Sequence, residues 1–230
     1  MTSRGGPQRI PRPDDWELGG PAPWAQVDDP DLSLDGVVAA LERRGPGRVV
    51  GPGPSADQRR SAVLVPLYEV RGEVHVVLTR RSPNLRSHTH EVSFPGGRID
   101  PEDVDEWDTA LREAEEEVAL DRSLPERVGE LDSFITGGSQ TYVTPLVGRL
   151  PERPVLSPSE AEVERILHVP LGELLLPEVW REEIWTRSGF TRPITFFELH
   201  GDTVWGATGA MLRQLLAIVT GTDETIVREV

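Results

Sequence analysis

The chain has 230 residues, with 39 Asp and Glu against 24 basic side chains, all of them Arg, and a formal charge of −15 at pH 7. That balance excludes duplex nucleic acid and anionic membrane as main partners, because both need a basic face. With no Cys and no Lys, disulfides, thiolate nucleophiles, Cys-ligated zinc and Schiff-base chemistry are excluded, and any phosphate clamp must be an Arg fork or a backbone amide.

Residues 1–31 carry Pro7, Pro11, Pro13, Pro21, Pro23 and Pro30 among Gly and Asp, which predicts a poorly ordered extension. Trp16 and Trp24 are the residues able to pin it to the domain or to a partner chain. Residues 32–60 read as a helix and a linker. Ser33 is the candidate N-cap, Leu34, Val37, Val38 and Leu41 form the stripe, and Gly45-Pro46-Gly47 ends it.

The main domain spans residues 61–220. It opens with two Val/Leu-rich strands, Ser61 to Val70 and Glu73 to Arg80, joined by a hairpin at Arg71-Gly72. Their near-continuous apolar character predicts a sheet covered on both faces. A helix follows over 105–119, then strands at Glu130 to Ile135 and Tyr142 to Leu150 around a Gly137-Gly138-Ser139 turn. Val163 to Val169 reads as a strand and Leu171 to Leu176 as a short helix. Thr195 to Leu199 and Thr203 to Trp205 form a late hairpin through Gly201-Asp202. Met211, Leu212, Leu215, Leu216 and Val219 mark a closing helix, with 221–230 as a tail. Strands and helices mixed in this order predict an α/β protein with a mixed sheet between helical layers.

On the 105–119 helix, Glu113, Glu116 and Glu117 project from one side, opposite Trp107, Leu111, Ala114 and Val118, while Glu115 points elsewhere. Like charges so spaced repel by about 0.2–0.5 kcal/mol per pair, and a cation would remove that repulsion. On an isolated helix such a face is ordinarily solvated surface. Here Phe94-Pro95-Gly96-Gly97-Arg98 lies just upstream. Gly97, Arg112, Glu113, Ala114, Glu116, Glu117 and Leu120 resemble the Nudix box at its spacings. Asp103 stands where that pattern has its first Glu, eight residues rather than seven precede Arg112, and Ala119 replaces a Gly. Upstream, Val77-Leu78-Thr79-Arg80-Arg81-Ser82, Arg86 and Phe94-Pro95-Gly96-Gly97 resemble the signature of the coenzyme A diphosphatase branch, with His90 in a Gly slot.

The resemblance implies a Nudix α/β/α sandwich and hydrolysis of coenzyme A or an acyl derivative to 3′,5′-ADP and a 4′-phosphopantetheine species. It implies Mg2+ or Mn2+ held by Glu113, Glu116 and Glu117, which with Arg112 make up the catalytic set. Arg112 can also pair with Glu116 one turn on. Arg80, Arg81, Arg86, Gly96 and Gly97 are the implied substrate contacts. His88 and His90, two apart, and Glu160, Glu162 and Glu164 are further candidates, and the general base is unassigned. Another nucleoside diphosphate derivative, or a ligand-binding module without turnover, remains an alternative. The expected setting is a soluble cytoplasmic protein acting on a small molecule, without nucleic acid or membrane, and a homodimer is left open.

Overall fold

The computed structural model describes residues 4–85, 89–187 and 189–225. Its elements in chain order begin with β1 (Glu17–Leu18), α1 (Leu34–Arg44), β2 (Val49–Val50), β3 (Arg60–Val70), β4 (Glu73–Arg81), β5 (Val92–Ser93), β6 (Gly96–Arg98) and α2 (Glu106–Val118). They continue with β7 (Glu126–Glu130), β8 (Ser133–Ile135), β9 (Tyr142–Arg149), β10 (Val163–Pro170), α3 (Leu171–Leu174), β11 (Trp180–Arg187), β12 (Phe190–Leu199), β13 (Asp202–Trp205) and α4 (Gly206–Thr220).

The β3–β4 hairpin forms as predicted: Arg71 (φ 56°) and Gly72 (φ 80°) are both left-handed, the combination a two-residue type I′ turn requires. Alternation along β3 divides the core. Ala62, Leu64 and Tyr68 join Val77, Leu146 and Leu150 under Ala110, Ala114 and Val118 of α2. Val65 and Leu67 join Val76, Leu78 and Val147 with Val37 and Leu41 of α1 and Leu212, Leu215 and Leu216 of α4. The sheet therefore lies between helical layers, an α/β/α sandwich. Burying one such side chain contributes about 1.5–3 kcal/mol, and a one-residue slip would exchange the two faces, so the register is strongly specified.

The large sheet runs β10-β4-β3-β9-β8-β2, with β5 on β4, β6 on β3 and β7 on β9. It is mixed, because β3–β9 and β2–β8 are parallel and the other pairs antiparallel. β3 changes partner midway. Its last residues, from Leu67, pair with β4, and its first, Ser61 to Val63, pair with β6. The cause is Pro66. Leu64 N–H donates to the Pro95 carbonyl (2.9 Å), whereas the Leu67 carbonyl accepts from Leu150 N–H (2.8 Å). Even-numbered residues thus turn their backbone toward β4, and there Pro66 has no N–H to give. The strands part, and residues 92–98 fill the gap, with Ser93 opposite Thr79 and Gly96 opposite Val63.

The structure differs from expectation in several places. The strand predicted over Glu130 to Ile135 is broken into β7 and β8, because Asp132 turns inward: its N–H donates to Gln214 Oε1 (2.9 Å), its Oδ2 accepts from Gln214 Nε2 (2.7 Å), and Arg44 pairs with Oδ1. β11 was not predicted at all, since Arg181, Glu182, Glu183 and Arg187 interrupt any apolar pattern. Glu183 is nevertheless fully buried, accepting from Arg12 and Trp185 Nε1 and forming an ion pair with Arg181. Residues 4–31 have little regular structure, as their prolines dictate, and a few of them pack against the domain. β1 extends the second sheet, β1-β11-β12-β13, and Trp24 is buried, stacked on Phe197 (6.3 Å) and edge-on to Trp180 (5.1 Å). Among the described residues no helix is long and apolar enough to cross a membrane.

Trp24 is the buried aromatic anchor of that segment, so Trp24→Ala is expected to cost about 3–5 kcal/mol. Urea unfolding followed by circular dichroism measures it, and a midpoint unchanged from the parent would show that the segment is held by other contacts.

Candidate active site

Asp105 caps α2, its side chain accepting from Asp108 N–H (2.8 Å), and Glu106 and Asp108 place negative charge in the first turn, where the helix dipole favours it. With Ala110, Ala114 and Val118 seated on β3, the acidic face turns toward the 92–98 run and the row is graded by depth. Glu117 is 3% exposed, whereas the side chains of Glu113 and Glu116 are 15% and 55% exposed. Glu115 leaves the row for Arg122 (2.6 Å).

Two glycines make the close approach possible. A Cβ on Gly97 would lie 2.4 Å from the Glu113 carboxylate. Gly96 has φ 154°, and its Cβ would meet the Ala62 carbonyl at 2.5 Å. The glycine run is therefore clamped between β3 and the metal-row candidate Glu113.

Arg112 lies at the open edge. Its strongest partner is not Glu116 but Asp103, bound as a fork (Nε–Oδ1 2.9 Å, Nη2–Oδ2 3.0 Å). Nη1 reaches Glu113 Oε1 (2.9 Å) and more weakly Glu116 Oε2 (3.3 Å), and Nη2 donates to the Arg98 carbonyl (3.0 Å). The hydrogen bond from Arg112 holds Asp103 well below the usual carboxylate range. Asp103 thus fills the position where the box has Glu, and it is itself held in a turn by Asp103 N–H→Asp100 C=O (3.1 Å). Sequence alone left Asp103 as a departure from the pattern, although its placement in the box was the clue to its role.

Burial pushes the Glu117 carboxyl up to about 8, and the charge of Glu113 adds to this, while the Arg81 guanidinium and a Gly96 backbone hydrogen bond oppose it. Burial also raises Glu113, against the pull of Arg112. Glu117 Oε2 and Arg81 Nε are buried without hydrogen-bond partners, and Arg81 Nη1 lies 4.0 Å from Glu117 Oε1. An unpartnered buried carboxylate beside a second carboxylate suits a hard cation. As the side chains stand, no three acidic or imidazole groups among the described residues are gathered closely enough to enclose one, because Arg112 draws Glu113 and Glu116 toward itself. Magnesium needs only one or two carboxylates, completing its shell with water and substrate oxygens, so the residues fit.

Other candidates fall differently. Arg80 is forked onto Glu164 (3.0 and 3.0 Å) and donates to buried Asp202 (3.1 Å). Its donors are already taken by carboxylates that the sequence places far away. Arg86 and His88 lie outside the described residues. His90 adopts φ 62°, the left-handed conformation of the Gly it replaces, and its Nδ1 lies 3.0 Å from Glu164 Oε2. Burial raises Glu164, but hydrogen bonds from His90 and Arg80 outweigh it and leave this carboxyl below its usual range. Exposed Glu162 adds its charge to both Glu113 and Glu117. Ala119 also caps α2 left-handed (φ 55°, ψ 34°).

A family model described as the NUDIX domain matches residues 58–188. The chain belongs to the Nudix family. An uncharacterized Nudix hydrolase NudL of Yersinia enterocolitica is 38% identical over 162 residues, 70% of this chain and 82% of the relative. A Yersinia pestis NudL is 37% identical over 161 residues, 70% and 80% of the two chains. Among solved structures, the NUDIX domain of Shewanella oneidensis NrtR complexed with ADP ribose overlaps 55% of this chain and 81% of its own at 19% identity and TM-score 0.42. A C. elegans Ap4A hydrolase binary complex overlaps 50% and 82% at 21% identity and TM-score 0.38. As a Nudix hydrolase the protein acts on diphosphate bonds of nucleoside diphosphate derivatives.

Two measurements test the Nudix helix. The folded-state value of Glu117 lies above the free carboxyl's 4.5, so its protonated form contributes stability that is complete below 4.5 and is lost as pH rises through about 8. In chelator, the melting temperature should fall across that window, and Glu117→Gln, which cannot ionise, should flatten that share of the decline. Parallel pH profiles for the two proteins would refute the assignment. Ala119→Gly should stabilise the fold by about 0.5–1 kcal/mol by relieving the left-handed cap; a lower denaturation midpoint would count against it.

Proposed function

We propose that this Nudix hydrolase cleaves the diphosphate of coenzyme A or an acyl-coenzyme A, giving 3′,5′-ADP and a 4′-phosphopantetheine species. The observation that supports it most is the buried Glu117 carboxyl, one oxygen of which has no partner while the other lies 4.0 Å from Arg81, because Arg81 belongs to the upstream signature that resembles the coenzyme A branch. That signature and the acidic row meet at one point of the surface.

In this reading Glu113, Glu116 and Glu117 hold Mg2+ or Mn2+, which when bound supplies charge stabilisation at the nonbridging oxygens and a more acidic water. Glu117 must shed its proton to serve as a ligand, and Arg81 beside it favours the ionised form. Arg112, fixed by Asp103, orients the Glu113 and Glu116 carboxylates rather than touching substrate. Arg81 offers guanidinium donors to a phosphate oxygen, and Arg86 belongs to the same signature. Gly96 and Gly97, lacking side chains, let the main chain lie close beside Glu113 at the point where a phosphate would meet the metal.

Glu117→Gln preserves shape and removes the ligand charge, so turnover should fall by about 100-fold or more while circular dichroism stays unchanged. Near-parental turnover in the folded variant would remove Glu117 from the site. The substrate is settled by incubating the protein with Mg2+ and coenzyme A, ADP-ribose or a dinucleoside polyphosphate and weighing the products by mass spectrometry. The proposal expects 3′,5′-ADP at the highest kcat/KM, and preference for another nucleotide would overturn the coenzyme A assignment.

A further inference from the structure

Gln8 lies outside the matched NUDIX domain, yet its side chain is one of the most fully used in the molecule. It is 8% exposed. Its Nε2 donates to the His90 carbonyl (2.7 Å) and to Asp202 Oδ1 (3.1 Å), and its Oε1 accepts from Thr203 N–H (2.8 Å). Asp202 is fully buried and also accepts from Arg80 (3.1 Å), which pairs with Glu164, and Glu164 in turn lies 3.0 Å from His90 Nδ1. Gln8 therefore joins three chain segments: the N-terminal one, the β12–β13 turn of the second sheet, and the main chain at His90.

His90 is where the backbone returns to the large sheet. Its N–H donates to the Arg81 carbonyl (3.1 Å), and the chain then runs through Val92, opposite Arg80, and Ser93, opposite Thr79, to Gly96 and Gly97. Gly97 is in van der Waals contact with Glu113, so a displacement of the return point is transmitted to the acidic row over a short, hydrogen-bonded path. His90 itself has a left-handed backbone (φ 62°), which costs a residue with a Cβ about 1 kcal/mol, and such a conformation persists where surrounding contacts enforce it. The hydrogen bond from Gln8 is one of those contacts.

We propose that Gln8 is a positioning residue for the hydrolytic reaction, supplied by the N-terminal segment, which fixes the main chain at His90 and thereby the approach of the Phe94–Gly97 run to Glu113. This rests on the reading of Glu113 and Glu117 as the metal-holding residues. That reading is tested separately by Glu117→Gln, so the two can fail independently.

The test uses the full chain and two readouts. The first is hydrogen–deuterium exchange of residues 89–97, which needs neither metal nor substrate. Gln8→Met keeps the length of the side chain and removes both its donor and its acceptor. It should accelerate exchange in 89–97 by about tenfold, the effect of losing one fixing contact at a segment's end. The second is the Mg2+ concentration giving half-maximal turnover on whichever diphosphate of the panel is cleaved best, which should rise several-fold. Gln8→Ala removes the same donor and acceptor and leaves room for water to satisfy Thr203 N–H and Asp202, so it should reproduce the exchange effect even if Gln8→Met folds poorly. Arg4→Met is the control. It loosens the same segment at Glu173 (3.2 Å) while Gly5 N–H→Leu199 C=O (2.8 Å) still holds the backbone, and it should leave both readouts at parental values. Unchanged exchange in both Gln8 variants, or equal changes in Arg4→Met, would overturn the proposal.

Discussion

The missing N–H of Pro66 governs the geometry of this molecule. β3 cannot pair with β4 along its whole length, so the two strands part beyond Leu67 and the sheet must take in another segment to satisfy the backbone groups exposed between them. The segment taken in is 92–98, and its glycines are what allow α2 to bring Glu113 within van der Waals reach of the main chain. A covalent property of one residue thus decides where a carboxylate helix meets a sheet. The apolar stripe of α2 would seat it on β3 in any case; the inserted run determines which turn of the helix lies at the opening.

Electrostatics then distinguish three carboxylates that are equivalent in sequence. Glu116 stays in solvent, Glu113 is shared with Arg112, and Glu117 is withdrawn beside Arg81 with one oxygen unpartnered. Burying a carboxylate this deeply without full compensation costs stability. The rigid fork from Arg112 to Asp103 sits at the outer edge and does not reach Glu117, so the least compensated carboxyl, held toward its protonated form by burial, lies at the inner end of the row. Sites of chemistry are where such local costs collect.

Much of this was legible in the sequence. The Arg71-Gly72 turn, the Ser33 cap, the stripe of α2 and the spacing from Gly97 to Glu117 are all local patterns, and each appears where the pattern placed it. What was not legible depends on partners distant along the chain. β11 was hidden because Glu183 reads as surface until Arg12, Arg181 and Trp185 surround it. The break at Asp132 is set by Gln214, more than eighty residues away. The ion pairs of Arg80 with Asp202 and Glu164 could not be seen from its sequence neighbourhood. The packing of Trp24 likewise depends on Phe197 and Trp180, and the prolines around it suggested disorder for sound local reasons.

The point at which the chain leaves and re-enters the sheet has a bearing on how such a protein can diversify. Arg81 N–H donates to the Glu91 carbonyl (2.9 Å) and His90 N–H to the Arg81 carbonyl (3.1 Å), so the excursion from Ser82 to Thr89 is pinched shut at its neck. Insertions or deletions within it leave the ladder undisturbed, and doubling the length of such a closed excursion costs only about 0.6 kcal/mol in closure entropy. The stretch between Arg81 and His90 can therefore be lengthened, shortened or rewritten by mutation while the ladder that holds its two ends is inherited intact. A strand that cannot finish its pairing becomes a place where new specificity can be grafted at little cost to the fold.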